Sequence, residues 1–357
     1  MTEFQPDYTH IVDAAYNREA NRLPLYEHGF DPGVVEAIMG YEVKSLLTGD
    51  LKDKTEAYQR VCRFAIQHGY DCIPFEICVT MVVQETRGLC GHGEVLINSM
   101  DDVNEWPWDK KADEFISKFK SNFDAVSAAL PPGMKAVGGI GNGLFETVQD
   151  FVPFQELAFL QVDEPEVFSA LWEKVGDLQY KLWEWALTNY ADTFAVCRFG
   201  DDLGFRSSTL LQPDAIRKHI IPQYKRVIDL VHSYGKPFLL HSCGRIYDVM
   251  DDLIDAGIDA KHSNEDAIDT FDVWVKRYGD RIGNFGGVEM NLLTLNTPDE
   301  VKEYVRNLIP EIEGHGGIAI GSGNQISSYT EPANFIAMTE AVREWRGDKQ
   351  LDHIPAP

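Results

Sequence analysis

Pro237-Phe238-Leu239-Leu240-His241-Ser242-Cys243-Gly244 reads as a short buried strand. Four apolar or ring residues run into a histidine and a cysteine, and a glycine ends the run. Alternate residues of a strand point to the same side, so His241 and Cys243 share a face. An imidazole and a thiol crowded together suit a soft divalent metal, since zinc takes both as ligands. A neutral core histidine beside a buried free cysteine fits the same pattern. The motif holds no third ligand, so both readings stand.

The same unit recurs along the chain. Strand candidates are residues 23–29, 72–79, 135–141, 194–200, 237–243, 258–263, 281–288 and 317–321. Helical stretches lie between them. Residues 111–130 are amphipathic and end at Pro131-Pro132-Gly133, and residues 164–189 open on Glu164-Pro165-Glu166, suited to a first turn. Residues 213–234 stop at Gly235, and 297–312 and 331–345 follow. Eight strands alternating with helices predict a single (β/α)₈ TIM barrel rather than an open doubly wound sheet. No repeat, low-complexity tract or composition break divides the chain, so residues 1–357 are expected to form one domain. Residues 80–110, which include Gly88-Leu89-Cys90-Gly91-His92-Gly93, read as a loop insertion after the second strand, either a lid or a surface excursion.

Composition sets the class. The formal charge of −25 repels nucleic acid and anionic membrane surfaces. No apolar run reaches the ~18–20 residues of a membrane span, and the first residues carry no apolar export block. Six cysteines (62, 72, 78, 90, 197 and 243) are scattered rather than spaced as a disulfide framework. A cytoplasmic protein with reduced thiols is the expectation.

Chemistry in such a barrel belongs at the C-terminal ends of the strands, and those ends are polar here. They carry Glu27-His28, Glu76, Asp201-Asp202, His241 and Cys243, Lys261-His262, Glu289, and Ser322 with Asn324. Glu76, between Phe75 and Ile77, is costly to bury without a use. Asp201-Asp202 before Leu203-Gly204 also fits an ordinary turn, and His262 reads as a rim or a structural histidine. Glu76, Asp201 and His262 are the catalytic candidates. The Gly138-Gly139-Ile140-Gly141-Asn142-Gly143 run fits no dinucleotide or Walker pattern; it reads as a strand end where a substrate or cofactor meets the backbone.

Taken together, Arg22-Leu23-Pro24-Leu25, Gly235-Lys236-Pro237 leading to His241-Ser242-Cys243-Gly244, and Gly321-Ser322-Gly323-Asn324 resemble the uroporphyrinogen decarboxylase superfamily across residues 21–345. The resemblance implies a (β/α)₈ barrel and two classes of activity: cofactor-free porphyrinogen decarboxylation, and zinc-using, corrinoid-dependent methyl transfer. The decarboxylases hold a polycarboxylate with arginines after the first strand. This chain has Tyr26-Glu27-His28-Gly29-Phe30-Asp31 there, two acids and no arginine. The methyltransferase branch carries a His-x-Cys pair after the fifth strand, matched by His241 and Cys243. Its third zinc ligand is a cysteine near the eighth strand, which this chain lacks, so Glu289, Glu27 or His28 is expected instead.

The implied activity moves a methyl group between a small methylated substrate and the cobalt of a corrinoid (cobalamin) on a partner protein. An aryl methyl ether is favoured as donor; the alternatives are a thiol such as coenzyme M, with transfer in the reverse direction, and a metal-free decarboxylase acting on another acid. Gly139 and Gly287 are expected to keep side chains away from the corrin face.

Overall fold

The computed structural model describes residues 4–84 and 93–348. Seven parallel strands lie side by side in chain order. They are β1 (Cys72–Cys78), β2 (Lys135–Gly141), β3 (Phe194–Gly200), β4 (Phe238–His241), β5 (Ala260–His262), β6 (Gly283–Val288) and β7 (Ile318–Ser322). Helices separate each strand from the next, so every connection returns the chain in the same direction and the strands pair in parallel. An order without a jump winds one way only, unlike a doubly wound sheet.

The sheet is curled, because side chains meet across its interior. Arg198 on β3 reaches Glu76 on β1, and His262 on β5 bonds the carbonyl of Ser322 on β7. Inside, Val137, Val196, Leu239, Ala260, Phe285 and Ala319 pack with Ile11, Ala14 and Ala15 of helix Thr9–Ala15, which plugs the N-terminal end. The larger apolar core fills the layer between the sheet and the outer helices. That arrangement leaves the C-terminal ends of the strands as the open face.

The first of the eight expected strands, residues 23–29, is not a strand. It meets β7 through a single bridge at Leu25 and Ile320, with Tyr26 N–H donating to Ile320 O at 2.8 Å and Ile320 N–H to Pro24 O at 3.0 Å. The ladder stops there because the Glu27 carboxylate takes the next amide, Ser322 N–H, at 3.1 Å. The same oxygen accepts from Tyr70 O–H at 3.1 Å, just before β1, and the second oxygen accepts from the Ser322 hydroxyl. A side chain therefore replaces backbone pairing where the sheet would close. Gly321 allows the approach, since a Cβ there would stand 1.7 Å from Tyr26 O.

The long helices fall where the sequence placed them: Trp108–Ala129, Pro165–Tyr190, Pro298–Ile312 and Pro332–Arg346. The stretch expected over 213–234 is interrupted by a wide π turn at Ile216–Ile220, directly before Pro222, whose missing amide breaks regular bonding. Of the 80–110 segment, the described part includes a 3₁₀ turn (Val79–Val82) and a helix (Met100–Glu105); His92 lies outside the described residues. Among the described residues no helix is long and apolar enough to cross a membrane.

Burial raises the Glu27 carboxyl from 4.5 to about 8. The folded chain thus keeps a proton that the unfolded chain has released, and stability contributed here falls as pH rises from about 4.5 to about 8. Glu27→Gln, which can still bond Ser322 and Tyr70, should flatten this decline by up to one proton's worth of slope in urea melts across that range. An unchanged slope would show that Glu27 is ionised in the fold.

Candidate metal centre and active site

β4 ends at His241, and Ser242 N–H still bonds His262 O at 2.7 Å. Cys243 therefore sits in the turn beyond the strand rather than on it. Its amide donates to Asp202 Oδ1 at 2.8 Å, and the Gly244 amide donates to Glu265 Oε1 at 2.9 Å. Gly244 is left-handed (φ 78°), and a Cβ on it would stand 2.2 Å from the Gly204 backbone. The loops after β3 and β4 thus touch through two glycines, which brings Asp202 against the His241–Cys243 pair.

Cys243 Sγ lies 3.5 Å from His241 Nε2, and Asp202 Oδ1 lies 3.8 Å from the same nitrogen. Zn–N of about 2.0–2.1 Å and Zn–S of about 2.3 Å in a tetrahedron separate nitrogen from sulfur by about 3.5 Å. The His241–Cys243 spacing fits a zinc ion, with Asp202 near enough to be a third donor. Asn324 Nδ2 and Ser263 Oγ donate to the sulfur at 3.3 and 3.4 Å, aiming two donors at a would-be thiolate. Burial, with Asp202 nearby, nevertheless holds the thiol well above its ordinary value, and burial also raises Asp202. A bound cation would displace protons from this pair.

The tautomer of His241 follows from a chain of contacts. His262 Nε2 is 2.9 Å from Ser322 O, and a carbonyl only accepts, so Nε2 carries the hydrogen. Burial drives His262 down to about 3, so it is neutral and its Nδ1 is an acceptor. That Nδ1 lies 2.8 Å from His241 Nδ1, which must donate. His241 is also held neutral by burial, leaving its Nε2 lone pair toward Cys243 and Asp202. His262 is thus an orienting residue behind a ligand, the arrangement common at metal sites.

A second histidine group, His28, His241 and His262, also converges within 4.8 Å. It is the poorer metal site. The two Nδ1 atoms at 2.8 Å share a hydrogen and stand closer than two tetrahedral ligands, about 3.3 Å apart. His28 Nδ1 is occupied by Arg198 Nη1 at 2.5 Å.

Several expected site residues stand elsewhere. Glu289 opens helix Met290–Leu295 after β6, two strands from β4, and joins neither donor group. Asp202, which the sequence placed at a polar strand end but which also fitted a turn, stands with His241 and Cys243 instead. Glu27 spends both oxygens on Ser322 and Tyr70. Asp201 does not face the mouth. It is fully buried and accepts from Phe145 N–H and Glu146 N–H at 2.9 and 2.8 Å and from Tyr224 O–H, holding the start of helix Leu144–Phe151; burial lifts its carboxyl to about 6. Gly139 and Gly287 face outward: a Cβ would meet Trp183 at 2.6 Å and Leu308 or Phe271 at 3.0 Å, all in the helix layer. They serve strand–helix packing and not an opening.

Glu76 does reach the mouth. Its Oε2 pairs with Arg198 Nη2 at 3.1 Å, and it lines a cavity of about 230 Å³ with His28, Phe30, Tyr58, Phe75 and Gln325. Another cavity, about 400 Å³, lies between Asn21–Pro24 and Arg346 and holds none of the cluster's donors. Arg198 escaped the sequence reading, although a charge between Cys197 and Phe199 in a buried strand was the signal for it.

The profile of the uroporphyrinogen decarboxylase (URO-D) family matches residues 92–345. No curated protein sequence matches the chain. Among solved structures, a methyltransferase from Methanosarcina mazei aligns with a TM-score of 0.71 at 15% identity, covering 96% of this chain and 99% of that one. A B12-independent methionine synthase from Shewanella sp. W3-18-1, in complex with selenomethionine, aligns with a TM-score of 0.54 at 10% identity, covering 91% and 98%. At such identities the likeness is one of fold.

Two outcomes follow from this geometry. Cys243→Ala and Asp202→Asn should each lose bound zinc in protein purified without chelator while Glu289→Gln keeps it, as read by metal analysis; zinc retained by Cys243→Ala would remove the site. Asp201→Asn should cost about 1–3 kcal/mol in denaturant melts, because one amide then faces an N–H donor instead of an acceptor.

Proposed function

The chain belongs to the uroporphyrinogen decarboxylase family, and we propose that it is a methyltransferase within it. In this reading it takes the methyl group of a small aryl methyl ether and passes it to the cobalt of a corrinoid on a separate protein. Zinc is the metal, held by Asp202, His241 and Cys243. The observation that carries the reading is this group of three donors within 4.8 Å of one another, with His241 and Cys243 at the spacing of a tetrahedral zinc and His241 oriented by His262. Zinc there would supply a Lewis acid for the departing oxygen.

The remaining tasks fall to side chains of this chain. The cavity that His28 lines, next to His241, has an apolar wall that includes Phe30, Tyr58, Phe75 and Val61, which suits an arene. Its polar end is His28, Glu76 and Gln325. Glu76 faces the substrate and keeps Arg198 in place. Acids at the mouth disfavour an anionic substrate, and Arg198 is spent on Tyr26, His28 and Glu76. Both features weigh against decarboxylation of a polycarboxylate. The whole chain acts as one barrel, with residues 80–110 following β1 as an insertion. A thiolate ligand and a cobalt(I) acceptor both call for a reducing compartment, which places the reaction in the cytoplasm.

The test supplies zinc-loaded protein with cob(I)alamin and a panel of methoxyarenes, methyl thioethers and carboxylic acids. Methylcobalamin formed from the methoxyarenes, read by absorbance, is the expected result. Transfer from thioethers alone, or carbon dioxide release from an acid without metal, would replace this reading.

A further inference from the structure

We propose that His28 is a catalytic hydrogen-bond donor whose Nε2–H binds the ether oxygen of the methyl donor and carries part of its charge as the carbon–oxygen bond breaks. The inference rests on the methyl-transfer reading above and adds a residue to it.

The hydrogen's position follows from Arg198. A guanidinium has donors only, and Arg198 Nη1 lies 2.5 Å from His28 Nδ1 and 2.7 Å from His28 O. Nδ1 must accept, so the ring hydrogen is on Nε2. Arg198 cannot turn away, because it is fully buried and also bonds Tyr26 Oη and Glu76 Oε2, each at 3.1 Å. Among the described residues nothing accepts from His28 Nε2.

Gly200 lies beside that ring. A Cβ on Gly200 would stand 3.8 Å from His28 Nε2 and 3.4 Å from His241 Cδ2. The His28 and His241 imidazoles lie against each other at a tilt of 33°, with centroids 3.8 Å apart. His28 thus holds its donor beside the proposed metal ligand and also lines the cavity that contains Phe75 and Glu76. With Nδ1 accepting from Arg198, the ring hydrogen stays on Nε2. The carbon–oxygen pair stays on the oxygen as a phenolate, the cobalt(I) pair forms the new cobalt–carbon bond, and the hydrogen remains on His28. A nitrogen donor in this place favours an oxygen leaving atom over sulfur.

The experiment measures zinc content and kcat/KM for wild type, His28→Ala and His28→Gln over methoxybenzenes whose phenols differ in acidity. His28→Ala should keep its zinc and lose about 10²–10³-fold on unactivated substrates, but less than about tenfold on nitro-substituted ones. His28→Gln, which restores an N–H, should recover part of the loss. An equal loss across the series, or loss of zinc, would overturn the proposal. Should wild type transfer no methyl group, the methyltransferase reading fails by itself. Phenol affinity then decides the role of His28: weaker binding by His28→Ala supports the donor, and equal dissociation constants overturn it.

Discussion

One buried cation organises the mouth of this barrel. Arg198 is fully enclosed, and removing a guanidinium from water costs several kcal/mol unless its hydrogens find acceptors. Its Nη groups find them on the β1 carboxylate of Glu76 and on Tyr26 and His28 of the segment that fails to become a strand, while Nε has none among the described residues. The sheet is therefore drawn together from its two edges by a residue on β3. Losing any partner would leave charge or dipole uncompensated in a dry interior, which is why the arrangement of three separate segments is set as a unit.

The alternation of strands and helices was legible because proline and glycine punctuate it. Pro165, Pro298 and Pro332 each open a helix, and Gly347 closes one. Residues 23–29 misled because their composition is strand-like, while the decisive event is a contact between Glu27 and Ser322, separated by nearly the whole chain. No local pattern encodes such a contact.

Within the site, the His241–Cys243 pair could be read from spacing alone, since its geometry is local. Asp202 could not be told from Asp201. The two are adjacent, and what separates them is that helix Leu144–Phe151 begins where Asp201 can accept its first amides, leaving Asp202 to turn toward β4. Gly139 and Gly287 show the same limit. A missing side chain is visible in sequence, but the side of the sheet from which it is missing is not.

The contact between Gly204 and Gly244 constrains how this protein can diverge. A methyl group at either position would collide with main chain of the other loop, and main chain cannot step aside as a side chain can. The two loops carry Asp202 and Cys243, so a change that separates them also separates two donors. Drift at one position therefore requires simultaneous rearrangement at the other. In physical terms the two glycines and two donors form a single heritable character, kept or abandoned together.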